Sequence, residues 1–204
     1  MAIVDLLNGA LRRIPTWVLY IGGIMPAIWL LVLLLNGGLG VDPVKVLEHR
    51  AGKIGLQFLI AGLVVTPLCR ITGLKLIKFR RAIGLLTFFY IALHLMIWLA
   101  LDIQFYWGEI WTDILKRPYI TIGMIGFLAM LPLALTSNNA SIKRIGVVGW
   151  RKLHKLTYLA AIAGALHYVW LVKGWQVEPL IYMGGVVLLL AMRIRVKRRR
   201  VARI

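Results

Sequence analysis

The chain is short of acid and of cysteine. Seven Asp and Glu stand against 25 Lys and Arg in 204 residues. None of the seven lies in the cores of the long apolar runs, so the paired membrane carboxylates of proton-coupled carriers are missing. Cys69 is the only cysteine, which excludes an intrachain disulfide and any Cys-x-x-Cys-His sequence. No glycine-rich dinucleotide fingerprint follows a strand pattern, and no polar stretch is long enough to build a nucleotide domain. The chain therefore cannot oxidise NAD(P)H unaided. Interior prolines are confined to Pro26 and Pro132, a faint signal for the interrupted helices of transporters.

What is abundant is hydrocarbon: 61% of residues are hydrophobic and the mean hydropathy is +0.84. Six stretches, at about 14–35, 53–69, 82–101, 119–135, 152–172 and 178–194, approach or exceed the length that crosses roughly 30 Å at 1.5 Å per residue. The second and fourth are near the short limit. Ile28 to Leu35 and Val186 to Ala191 are apolar on every face, which excludes the alternating strands of a membrane barrel. The expected fold class is all-α integral membrane, a six-transmembrane-helix bundle forming one domain over 1–204 with a basic tail from about 194. The first run is too long for a signal peptide and has no convincing small-residue cleavage site, so it reads as a retained helix.

The net charge of +18 raises the question of nucleic acid, and its placement answers it. Arg12 and Arg13, the group from Arg70 to Arg81, the group from Lys143 to Lys152, and the tail from Arg193 to Arg203 hold 18 basic residues, all on one side if six helices alternate. The other side has Lys45, Arg50, Lys116, Arg117 and Lys173, offset by six acids. The positive-inside rule places both termini in the cytoplasm, where the tail meets anionic headgroups rather than nucleic acid.

Two histidines lie inside apolar runs. Counted from the cytoplasmic ends of their helices, His94 is roughly 18 Å deep and His167 roughly 22 Å deep. Both fall in the outer half of the bilayer, at matching levels. A buried imidazole needs a partner that lipid cannot supply, and one haem iron satisfies two facing rings. Without a Cys-x-x-Cys-His sequence, such a haem is held noncovalently. Ala160, Ala163 and Gly164 on the fifth helix, with Gly84 and Ala92 on the third, leave room for a flat macrocycle. The bland alternative is that each histidine only hydrogen-bonds to a neighbouring helix.

His154 is thirteen positions before His167, which on a straight helix leaves the two side chains roughly 140° apart. It is either a solvated interfacial residue or a ligand to a second haem. Thirteen and fourteen positions before His94 stand Arg81 and Arg80, which bind propionates, ligate weakly or mark the headgroup boundary. His49 reads as a wet surface histidine, with a place near quinone or a partner as the alternative. Trp17, Trp98, Trp107, Trp111, Trp170 and Trp175 cluster near helix ends, as interfacial anchors do. The loop from Asp102 to Pro118 is either an amphipathic segment along the interface or a docking surface.

Several motifs carry a resemblance: Gly37-Gly38-Leu39-Gly40-Val41-Asp42-Pro43, Arg80-Arg81 with Leu93-His94-Leu95, Arg117-Pro118-Tyr119, Trp150 with Leu153-His154, and Leu166-His167-Tyr168 with Trp170. In this order they resemble the haem-binding membrane subunits of bacterial methionine sulfoxide reductase systems, within the ferric reductase-like transmembrane group. The resemblance implies a six-helix b-type cytochrome of the bacterial inner membrane. It implies electron transfer to a periplasmic molybdopterin-containing methionine sulfoxide reductase subunit that repairs envelope proteins. Electrons would come from the quinone pool or a cytosolic flavin reductase, with quinone or FMN as the accompanying cofactor. His94 and His167 would be the axial pair, and His154 with Arg80 the region of a second haem. Ferric reductases carry two histidines on each of two helices and often a fused flavin domain. Here one of those positions is arginine and the flavin domain is absent. The rivals are a cytochrome b anchor of another respiratory oxidoreductase and a haem-free transporter or assembly factor.

Overall fold

A computed structural model describes residues 2–172 and 174–201, with side chains for 3–172 and 174–193. Within them the regular structure is helical throughout. Four stretches are long and apolar enough to cross a membrane: Trp17–Leu35, Pro43–Thr72, Ile77–Asp102 and Pro118–Leu135. The bundle is completed by α9 (Leu156–Leu171) and α10 (Val177–Val201), making six long helices with the spanning ones α2 (Trp17–Leu35), α3 (Pro43–Thr72), α4 (Arg80–Ile97) and α6 (Pro118–Leu135). Short helices α1 (Ala2–Arg13), α5 (Trp107–Lys116), α7 (Asn139–Ile145) and α8 (Val147–Leu153) lie at the ends.

Three boundaries differ from the hydropathy reading, each for a local reason. α3 starts ten residues before the apolar run because Asp42 caps it, accepting from the Lys45 amide at 3.2 Å, with Pro43 in the first turn. It ends where Gly73, at φ +78°, adopts the left-handed conformation that stops a helix. Its interior includes Pro67, which joins Pro26 and Pro132 as a third proline within a long helix. The span expected from 152 is broken: α8 ends at Leu153, His154 caps it with φ −67° and ψ −1°, and α9 begins at Leu156. The straight-helix angle between His154 and His167 therefore does not apply. α1 precedes the first span as a separate surface helix; its buried Asn8 donates to the Gly73 carbonyl and accepts from the Lys75 amide at 2.8 Å.

α3 packs along α4, α6 along α9, and α10 against α9 and α3. The tightest core, Leu56, Leu59 and Leu63 with Ala161, Ala165 and Val186, joins α3, α9 and α10. α2 leans on α4 through Tyr90, which is fully buried. Pro26 has no N–H and opens the α2 turn. The Tyr90 hydroxyl enters that turn, donating to the Gly23 carbonyl at 2.6 Å and accepting from the Ala27 amide at 3.0 Å. Tyr90→Phe leaves both backbone groups short of a partner in a dry interface. It should cost about 1–2 kcal/mol, read as a lower unfolding midpoint of the detergent-solubilised protein.

Beyond Ile97 the α4 helix widens into a π turn, Trp98–Asp102, closed by the Ile103 amide on the Trp98 carbonyl at 2.9 Å. Gln104 and Phe105 then take left-handed backbone, at φ +52° and +59°, to reverse the chain into α5. Trp98 is buried against Ile103 and Ile110, a correction to the belt reading, whereas Trp17, Trp107, Trp111, Trp170 and Trp175 are exposed. The basic tail's side chains from 194 onward, and Lys173, lie outside the described residues.

Candidate functional site

Each membrane histidine is held the same way. His94 on α4 places Nδ1 2.9 Å from the Glu48 carbonyl of α3, and His167 on α9 places Nδ1 2.7 Å from the Tyr119 carbonyl of α6. A carbonyl only accepts, so Nδ1 carries the proton and donates in both rings. Nε2 is then left with its lone pair, the state a metal requires. The ring centres are 6.1 Å apart and their planes cross at 75°. A metal–nitrogen bond of roughly 2 Å added to a ring radius of about 1 Å puts the centres of two rings sharing one metal about 6 Å apart. The spacing fits a single shared metal.

Both rings line one cavity of about 910 Å³ between α3, α4, α6 and α9. Its walls are apolar and low: Leu56, Ile91, Phe127 and Met130 on one part, Gly126, Ala160 and Gly164 on another. Of the small residues singled out for macrocycle space, Ala160 and Gly164 line it. Ala163 instead packs against Gly126, while Gly84 and Ala92 are not on its walls. Among the described residues no three His, Cys, Asp or Glu side chains gather as a bare-metal site. What the cavity offers is two imidazoles beside a slot.

The mouth concentrates the scarce acids. Asp42, Glu48, Asp102, Glu109 and Asp113, five of the seven in the chain, line the cavity with Lys45, Lys53 and Arg117. Arg117 pairs with Asp113 at 3.1 Å, and Lys53 pairs with Glu178 across α3 and α10. His49 is exposed, as the surface reading expects, and sits at this mouth. α5 carries Trp107 and Trp111 exposed beside it and Ile110 buried, an amphipathic helix as the loop composition suggests.

His154 is elsewhere, off the cavity that His94 and His167 share. Its ring stacks on Trp150 at 3.7 Å, and its Nε2 lies 3.3 Å from the Thr136 hydroxyl. That hydroxyl donates to the Pro132 carbonyl at 2.6 Å, so in the histidine contact Nε2–H is the donor. Burial, and then the charge of Arg80, hold the His154 pKa below the ordinary imidazole value. Arg81 is committed to Asn139 at 2.8 Å on the surface. Because the fold disfavours His154 protonation, the unfolded chain binds the proton first. Stability is thus full above the ordinary histidine range and falls as pH drops through it. His154→Gln should flatten that part of the acid limb in a pH series of thermal midpoints.

The structure brings together the two rings singled out in the sequence, and their seats, the Glu48 and Tyr119 carbonyls and the glycines Gly52 and Gly123 against which the imidazoles lie, were missed by sequence reasoning. The available signal was Gly-x-x-Gly, present at Gly52 and Gly55 and again at Gly123 and Gly126.

A helical membrane bundle with two imidazoles lining one slot defines the class, and comparison with known proteins agrees: residues 51–165 match the ferric reductase like transmembrane component family, to which the chain belongs. The match includes His94 and His154 and ends two residues before His167. More narrowly, the chain belongs to the MsrQ family. It is 47% identical over 178 residues to the protein-methionine-sulfoxide reductase heme-binding subunits MsrQ of Brucella anthropi and Brucella ovis, covering 87% of this chain and 80% of each relative. No solved structure matches.

Proposed function

We propose that the chain is a b-type haem protein of the bacterial inner membrane, with six spans and both termini cytoplasmic. It forms a single domain over 1–204 that passes electrons outward to a periplasmic methionine sulfoxide reductase subunit. The observation that carries this is the pair His94 and His167, both with Nδ1 committed to a carbonyl, sharing one slot at a spacing fit for a single metal. The relatives' printed name, a heme-binding subunit of protein-methionine-sulfoxide reductase, supports haem as the group and the reductase as the partner.

His94 and His167 would hold the iron through their Nε2 atoms, and the apolar walls would exclude water from it. When bound, haem supplies reversible one-electron exchange at a potential set by its ligands and shell. One haem is assigned to the pair His94 and His167, and the region of His154, with the charge of Arg80 beside it, is the place for a second. The acid-rich mouth gives the outer face a sign opposite to the rest of the molecule, suited to steering a partner with a basic docking face. The inner basic face receives the donor, a flavin reductase carrying FMN or a quinol. The partner is taken to hold molybdopterin, where the sulfoxide chemistry occurs.

The test is purification of the full chain after expression with ample haem, followed by pyridine haemochrome quantification against protein. At least one haem b per chain, with the split absorption of a six-coordinate iron, is the expected result. A colourless, folded protein rejects the proposal.

A further inference from the structure

The two seats are one device used twice. On α3 the accepting carbonyl is Glu48 and the glycine one turn later is Gly52; on α6 they are Tyr119 and Gly123. In an α-helix the carbonyl of residue i already accepts from the amide of i+4, so each histidine uses the remaining lone pair on a carbonyl facing the groove beside the glycine. A Cβ at Gly52 would stand 3.0 Å from the His94 Nδ1 and 3.2 Å from its Cε1. At Gly123 it would stand 2.8 Å from the His167 Nδ1 and 3.1 Å from its Cε1. The next glycines, Gly55 and Gly126, let the partner helices close, meeting Ile91 at 3.0 Å and the Ala163 Cβ at 3.3 Å from where their own Cβ atoms would be.

We propose that Gly52 and Gly123 are positioning residues: lacking a Cβ, they let each imidazole settle on its carbonyl and so hold the two axial rings crossed at 75°. The proposal rests on His94 and His167 ligating one iron, and reaches beyond it to what fixes their orientation. The crossing has an electronic consequence. Parallel axial imidazoles split the two iron orbitals that interact with them, whereas crossed rings leave those orbitals nearly equal in energy. The Nδ1–H···O=C bond has another, because it makes each ring a stronger donor and favours the ferric state. A side chain at either glycine pushes the ring off its carbonyl, changing the crossing and weakening that donation.

The experiment is low-temperature EPR and a redox titration on the purified, haem-loaded full chain, comparing wild type with Gly52→Ala, Gly123→Ala and the control Gly62→Ala. A Cβ at Gly62 meets only Ile83 at 3.5 Å, an ordinary contact. The wild type should give the strongly anisotropic low-spin signal of crossed rings. Gly123→Ala should shift that signal and raise the midpoint potential; Gly52→Ala should do so less, since its clash is milder; Gly62→Ala should do neither. Loss of haem from Gly123→Ala with helix content intact, while Gly62→Ala keeps its haem, is the extreme form of the same result. A rhombic wild-type signal of parallel rings overturns the proposal, as do wild-type signal and potential in both seat variants. A wild type without haem fails the functional reading instead, so the two failures are distinguishable. The wild-type spectrum decides the crossing even where an alanine variant does not fold.

Discussion

His94→Ala and His167→Ala should each strip the purified protein of most of its haem while leaving the helical bundle assembled. Each substitution removes one Nε2 donor and one Nδ1–carbonyl bond, and leaves the opposite ring with an unmatched lone pair in an apolar slot. Changes to outer-shell partners of metal ligands alone cost roughly 10–100-fold in affinity, so loss of the ligand itself should cost at least that. The fold should lose only about 1 kcal/mol for the missing hydrogen bond, because each ring packs on a glycine and not in a hydrophobic cluster. Haemochrome content measured beside circular dichroism separates the two effects. Full haem retention in both variants is incompatible with the proposed function.

Gly164→Leu should produce the same loss without touching a ligand. Gly164 lines the slot three residues before His167, on the same face of α9. A Cβ there meets only Leu56 Cδ1 at 3.7 Å, so a larger side chain grows into the open slot and not into backbone. Replacing glycine inside a helix with leucine recovers about 0.8 kcal/mol of propensity, and the side chain gains packing contacts in the slot. The expected outcome is an opposition: haem content falls at least several-fold while the unfolding midpoint of the haem-free protein holds or rises. A variant that loads haem normally would show that the slot is not where the macrocycle lies.

Much of this site was legible because the bilayer makes a simple ruler. Counting 1.5 Å per residue from the basic helix ends puts His94 and His167 at matching depths, and the coordinates bring their rings to 6.1 Å. The setting of His154 was not legible, since a hydropathy run from 152 to 172 does not reveal that His154 caps one helix and Leu156 starts the next. The N-terminal extension of α3 was hidden too. Lys45, Glu48, His49 and Arg50 read as loop, although the Asp42 cap and Pro43 make them helix, and that helix supplies the Glu48 carbonyl. Backbone acceptors carry no residue signature, and a glycine declares its purpose only through what approaches it from another helix. The acids were visible one by one along the sequence, but folding gathers five of them at one cavity mouth.

The most direct test of the shared ligation is near-infrared magnetic circular dichroism of the oxidised full chain in the His49→Ala, His154→Ala background, where His94 and His167 are the two imidazoles that remain. The charge-transfer band should report two histidine ligands, and His94→Ala or His167→Ala added to that background should abolish it. A band assigning any other axial pair, or one that survives either substitution, would contradict the account.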